Sequence, residues 1–393
     1  MAKPSGLRIV LALASVFAGS APFDGASAPT ADAERGFPRA SGAGPVVVDA
    51  GLNGRPVGST AFDKAYLAAS GPWRAGIPVD AVFSTVQGLS AYPVGLSSWL
   101  APDGVSVPLY WAVPADRSVR VLYHADAWSL LASGKVHPAG NPPDVEAHIR
   151  AGASTVFPFS YHPYVSQSGR EFRLPREYAP ILRNADGTAP VVRSPVGVRS
   201  SGNADGHMVI FQPDGRAFEA FAAILLSDGT IVCASYQITD SAGAGDGRQN
   251  GVTASMIPVY AGLVRKVELD AGLIDHAMKI VVPASLLATE FVYPALAFDR
   301  GALTEDPPYS GTLPMGTRLA IPKDVDLLRL KLRSQVGKLV AQAAQRHGFI
   351  ITDRGGRGIT LITEAGVGGS YPFDHGIELD LRWIFSVVQR VDP

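Results

Sequence analysis

The sequence predicts a mainly β protein: an antiparallel β-sandwich or jelly-roll-like body with one late amphipathic helix. Three observations lead there. Glycine (42 residues) and proline (31 residues) are abundant and fall between short β-branched or aromatic runs, the punctuation of many short strands joined by turns. Regular alternation of strand and helix is absent, which argues against a doubly wound α/β sheet. Sustained helical spacing occurs once, in Asp324–His347, where Leu327, Leu328, Leu332, Val336, Leu339, Val340 and Ala343 recur on one face.

Taken in order, Met1–Ala33 reads as an export signal. Lys3 and Arg8 give a positive start, Ile9–Ala21 is an apolar core, and the small residues ending at Ala33 place the cut before Glu34. The apolar core is too short for a permanent span, so no stable membrane segment is expected after cleavage. Residues 34–45 form a flexible leader. Residues 46–393 are taken as one β-rich domain with a possible sub-boundary near 197–204. In its first half, runs at 107–114 and 119–124 alternate with Pro/Gly breaks, and helical stretches are possible near 60–69 and at Val145–Ala151.

Asp205–Asp240 is the clearest local structure. His207–Phe211 is a strand and Gln212–Gly215 a turn, followed by a return strand over Ala217–Leu226. Ser227–Thr230 is an Asp-Gly hairpin turn leading to a third strand, Thr230–Ile238. Past the helix, which Gly348 would end, Phe349–Thr352 and Gly358–Thr363 read as two more strands.

Composition narrows the function. A hydrophobic fraction of 47% against 18% charged residues is that of a folded protein with a substantial core. A formal net charge of -1 gives no electrostatic case for nucleic acid. The single cysteine, Cys233, cannot form an intrachain disulfide and sits in an apolar run, as a core residue would. Nucleophile-elbow, zinc-helix, P-loop and Cys-x-x-Cys signatures are all missing. No metal or cofactor is expected.

The run Gly251–Pro283, with Gly-Val-Thr-Ala-Ser at its start, Gly262-Leu263-Val264-Arg265 within it and Ile274-Asp275-His276-Ala277 near its end, resembles a segment shared by exported bacterial proteins of mostly unassigned function. Pro314–Leu319 and His347–Asp353 continue the likeness. Asp205-Gly206-His207 and Glu219 fall where that group places an Asp-x-His and a strand-borne Glu. Asp353-Arg354-Gly355-Gly356 departs from its more usual Asp-Asn-Gly. The resemblance implies export and a β-rich fold, and some members have the look of carbohydrate-active proteins.

The sharpest constellation is Asp205, His207, Glu219 and Asp240 on the meander. Pairing about its turns sets Glu219 opposite Met208 or Val209, and a one-residue slip decides which face it shares with His207. The apolar neighbours of Glu219 suit a general acid whose pKa burial would raise. Glu219 or Asp205 is therefore expected as the acid, with His207 orienting it or acting as base. Tyr161 and His162, in the aromatic run 157–164, are candidate sugar contacts. Tyr236, near His207 on the meander, Asn250, in the glycine-rich loop 240–251, and His276 complete the expected ligand-contacting set. The loop is read as mobile rather than calcium-binding. The expected function is a secreted or periplasmic enzyme that cleaves a polysaccharide or glycan, by hydrolysis or by elimination. The alternative is a non-catalytic glycan-binding or envelope-associated protein.

Overall fold

The computed structural model describes residues 67–97, 106–137, 140–156, 164–165, 171–172, 190–299, 302–303, 307–372 and 374–392. The export signal, the leader, most of the 60–69 stretch, Tyr161 and His162 lie outside them. The described chain is mainly β. A seven-stranded sheet runs in the order Phe83–Ser84, Gln389–Val391, Arg318–Ala320, Phe349–Arg354, Met278–Val282, Ile359–Leu361, Val94–Leu96. A four-stranded sheet holds the meander in the order Ser235–Asp240, Arg216–Phe221, Met208–Phe211, Leu109–Trp111. A second four-stranded sheet is ordered Ile224–Leu225, Ile231–Cys233, Arg117–Tyr123, Val191–Ser194.

The sheets are not purely antiparallel. Met278–Val282 runs parallel to Phe349–Arg354, Ile359–Leu361 to Val94–Leu96, and Met208–Phe211 to Leu109–Trp111. Parallel neighbours need long crossovers, and here strands from before residue 197 pair with strands after it.

The meander pairs Glu219 with Val209, one of its two expected partners; on the other side it pairs with Gln237, one residue short of the Ile238 that the turn positions predict. The return strand, however, breaks at Ala222 and Ala223. Ala222 takes a left-handed backbone (φ 53), and the two amides bond to the carbonyls of Asp205 and Gly206 at 2.7 and 3.0 Å. The Asp-Gly hairpin therefore lends its base to one four-stranded sheet and its tip, Ile224–Cys233, to the other.

The late helix is shorter than its periodicity, and it has a companion. Leu327–Leu330 is a 3-10 turn, Lys331 turns left-handed (φ 52), and the α-helix is Gln335–Arg346, capped where Ser334 Oγ accepts the Gly337 amide at 2.8 Å. A second helix, His375–Val387, starts at the Asp374 cap. Its charged residues at 378, 380 and 382 had blurred the apolar stripe. One of them, Asp380, faces inward at 1% exposure and accepts the amide of Ser334 and its hydroxyl at 2.7 and 2.6 Å, and the Arg333 amide at 2.9 Å. It thus pins the start of one helix to the side of the other. Pro143–Gly152 confirms the shorter helical stretch expected at 145–151.

One apolar core joins Val209 and Phe211 of the meander, Ile257 and Tyr260 of the following loop, and Leu319, Phe349, Ile351 and Phe385 of the large sheet and its helix. Because Asp380 removal would strand several buried donors at once, Asp380→Ala is expected to lower unfolding free energy by about 3 kcal/mol, measurable as a drop in the urea midpoint with an unchanged slope.

Candidate functional site

Glu219 sits at the middle of the central meander strand, and the register puts it on the face that carries Val209 rather than Ala220. That face turns toward the loop Gly251–Tyr260. The carboxyl is fully buried, and its Oε2 accepts the Val259 amide at 2.6 Å and the Val252 amide at 3.4 Å. Oε1 has no hydrogen-bond partner. Burial pushes this carboxyl up to about 7, outweighing the two amides and the pull of Lys279.

Lys279 approaches the same loop from the large sheet. It is 2% exposed within the apolar strand Met278–Val282, and its Nζ donates to the Val259 carbonyl at 3.0 Å. Glu219 and Lys279 therefore hold opposite ends of one residue. Burial lowers the lysine pKa, against the attraction of Asp353 and Glu219.

Asp353 reaches the cluster through a bulge. Ile280 pairs with Ile351, but the next residue, Val281, pairs with Asp353, which leaves Thr352 as an extra residue in its strand. Alternation would otherwise place Asp353 on the sheet face opposite Lys279, and the inserted residue brings it round. Its Oδ2 accepts the Ala254 amide at 3.1 Å and its Oδ1 the Arg354 amide at 2.8 Å. Burial, then the neighbouring Asp299, push its pKa up, and the amides and Lys279 only partly offset them. Asp299 is itself buried and accepts the hydroxyl of Tyr309. Burial raises its pKa too, and Asp205 adds to the rise, while Tyr309 and Arg354 oppose it.

Asp205 and His207 lie at the start of the meander. Asn203 Nδ2 donates to Asp205 Oδ2 at 2.8 Å, Ser201 Oγ donates to Asn203 Oδ1 at 2.7 Å, and the His207 amide donates to Ser201 Oγ at 2.8 Å. Burial raises the Asp205 carboxyl against the Asn203 and Trp128 contacts. Burial and then Lys279 depress the His207 imidazole to about 3, which keeps it neutral at physiological pH. Its ring lies 5.6 Å from that of Phe221, and Nδ1 has no partner.

The structure thus links Asp205, His207 and Glu219 electrostatically with Lys279, Asp299, Tyr309, Asp353 and Arg354. Asp205, His207, Asp353 and Arg354 are half-buried, whereas Glu219, Lys279, Asp299 and Tyr309 are buried. Reading the sequence missed Lys279, Asp299 and Tyr309. Lys279 did leave a signal, a lone lysine inside Met-Lys-Ile-Val-Val. Asp353 enters the sequence reading through the resemblance, at the end of His347–Asp353 and where Asp353-Arg354-Gly355-Gly356 departs from the group's pattern.

Other expected residues stand apart. Asp240 pairs with Arg216 at the far end of the meander from His207, and its Oδ1 accepts the Ala242 amide at 2.9 Å, a turn contact. Tyr236 falls on the opposite face from Glu219, at 1% exposure, with its ring 5.9 Å from Phe218, so it has no surface to offer a ligand. Asn250 ends a 3-10 turn with φ 57, a backbone role that asparagine tolerates. His276 is buried between Glu268 Oε1 at 2.7 Å and the Ala277 carbonyl at 2.8 Å; burial lowers its pKa, and these contacts reverse the shift. It ties the short Lys266–Ala271 helix down and lies outside the cluster. Cys233 is buried in the core and its thiol pKa is pushed up by burial. Among the described residues no group of His, Cys, Asp and Glu is arranged to hold a metal ion.

No family model, curated protein or solved structure matches this chain.

The buried Glu219 carboxyl makes stability depend on pH. In the unfolded chain Glu219 ionises near its ordinary pKa, whereas in the fold it holds its proton to about 7. Between those values the folded state binds the extra proton, so stability is greatest at the acid end and falls as pH rises. Glu219→Gln should flatten this part of the profile by about 2–3 kcal/mol, read from urea unfolding at a series of pH values from about 4.5 to 7.

Proposed function

We propose that this protein is an exported acid–base enzyme that cleaves polysaccharide. The observation that supports this best is a cluster of linked ionisable groups in which Asp205, His207 and Asp353 are only half-buried and yet have displaced pKa values. Such displaced groups gather where protons must be given and taken near neutral pH. Asp353 is the candidate proton donor: its carboxyl stays protonated above the ordinary range and belongs to a residue that is not sealed off. Asp205 supplies a second half-buried carboxyl, and glycosidic cleavage requires two. His207 is too weak a base at its depressed pKa to take a proton first, so its role is to hydrogen-bond and orient. Glu219, sealed from solvent, acts through Lys279 and the loop that it holds.

Export rests on the Met1–Ala33 pattern, and no helix among the described residues is long and apolar enough to cross a membrane. The choice of a glycan rests on the resemblance carried by Gly251–Pro283, Asp205–His207 and Glu219.

The test is incubation of the signal-free protein with a polysaccharide panel, following reducing ends and the ultraviolet absorbance of unsaturated uronates together. Reducing ends alone identify a hydrolase, and both signals an eliminating enzyme. In either case Asp353→Asn should lower kcat/KM by about 100-fold or more while leaving the far-ultraviolet circular dichroism unchanged. Glycan binding without cleavage would overturn the enzymatic reading in favour of a binding module.

A further inference from the structure

Lys279 and two carboxyls converge on one loop from three different elements. Glu219, from the meander, binds the Val252 and Val259 amides, Asp353, from the adjacent parallel strand, binds the Ala254 amide, and Lys279 binds the Val259 carbonyl; the lysine charge bears on both carboxyls and on His207. Its one hydrogen bond from Nζ goes to a neutral acceptor, the Val259 carbonyl at 3.0 Å. The amide of that same residue binds Glu219 at 2.6 Å. Val259 thus stands between the ammonium and the carboxylate, so neither Glu219 nor Asp353 has an exclusive claim on the positive charge. Behind Asp353 stand Asp299, Tyr309 and Arg354, and beside Asp299 stands Asp205.

We infer that Lys279 is a positioning residue: its single charge, shared by Glu219 and Asp353, allows one of the two carboxyls to ionise while the other keeps its proton. A buried cation can offset one buried anion, and a second anion in the same low-dielectric space has no counter-charge. The pair therefore carries one proton between them near neutral pH. With Glu219 ionised against the lysine charge, Asp353 keeps the proton that it is to donate; once given to the leaving-group oxygen, that proton is replaced from water at the half-buried Asp353 before the next turnover. The inference rests on the acid–base reading for its catalytic meaning, but the shared proton can be measured without any substrate.

The experiment is a carboxyl titration of the intact protein by carbon-13 NMR, with labelled Asp and Glu assigned through Asp353→Asn and Glu219→Gln. Near neutral pH the wild-type protein should show one of the two signals shifted to the ionised position, or both at intermediate positions, moving together as pH changes. In Glu219→Gln the Asp353 midpoint should fall by about one pH unit or more, since Lys279 then serves one carboxyl only. In Lys279→Met both midpoints should rise by a similar amount, and Lys279→Arg should restore them in large part. Where Lys279→Met does not fold, the Glu219→Gln shift decides alone. An Asp353 midpoint that ignores Glu219→Gln would overturn the shared-proton assignment while leaving polysaccharide cleavage open. Conversely, a coupled titration in a protein that attacks no glycan would keep the assignment and remove the glycan reading.

Discussion

Everything around the candidate site depends on how one peptide segment is held between two sheets. Val259 is gripped at its amide by Glu219 from the meander and at its carbonyl by Lys279 from the large sheet. The neighbouring amides of Val252 and Ala254 go to Glu219 and Asp353. The loop pairs some of its own backbone groups, such as the Met256 amide with the Thr253 carbonyl, but the amides of Val252, Ala254 and Val259 find acceptors outside it, and buried amides need acceptors. Ionisable side chains supply them here, where hydroxyls or carbonyls would serve a purely structural purpose with less desolvation cost. Small residues make the fit possible. A Cβ on Gly251 would lie 2.4 Å from the backbone of Ile257, and one on Gly262 would lie 2.0 Å from the Trp73 ring.

Charge accounting explains why protonation in the cluster is displaced. Asp205, Glu219, Asp299 and Asp353 supply four carboxyls, against the cations Lys279 and Arg354. Full ionisation would leave uncompensated negative charge in a region that solvates charge poorly, so some carboxyls retain protons at neutral pH. The neutral His207 fits the same economy, because Lys279 already occupies the cationic role near it. Site and fold are therefore coupled: the groups that hold the loop are those whose protonation is displaced.

Much of the meander was legible in advance, because Gln212–Gly215 and Ser227–Thr230 set turns and the alternation between them set the register. Glu219 stood out for the same reason, as a charge among apolar neighbours on a strand. The companions of Glu219 were not legible. Lys279, Asp299 and Tyr309 come from segments 60 to 90 residues away in sequence, and strand pairing across such distances leaves no local periodicity. Asp353 was hidden by the bulge at Thr352, since a count of alternate residues gives it the wrong face. The helix His375–Val387 escaped because Asp380 breaks its apolar stripe, and only the packed partner helix reveals that this aspartate is a cap for another element. Tyr236 was misplaced by a single step of alternation, which separates the Glu219 face from the Ala220 face.

The order of strands in the large sheet governs how it can close. Gln389–Val391 lies between Phe83–Ser84 and Arg318–Ala320, so among the described residues the strand latest in sequence is an interior one of this sheet. Phe83–Ser84 joins the sheet through that strand alone, pairing Phe83 with Val391 and Ser84 with Arg390. The early strand has no edge to add to until Gln389–Val391 is in place, and its contacts close a loop of some 300 residues. Pairing of such long sequence separation is slow, which makes this edge of the sheet a late one to form in folding.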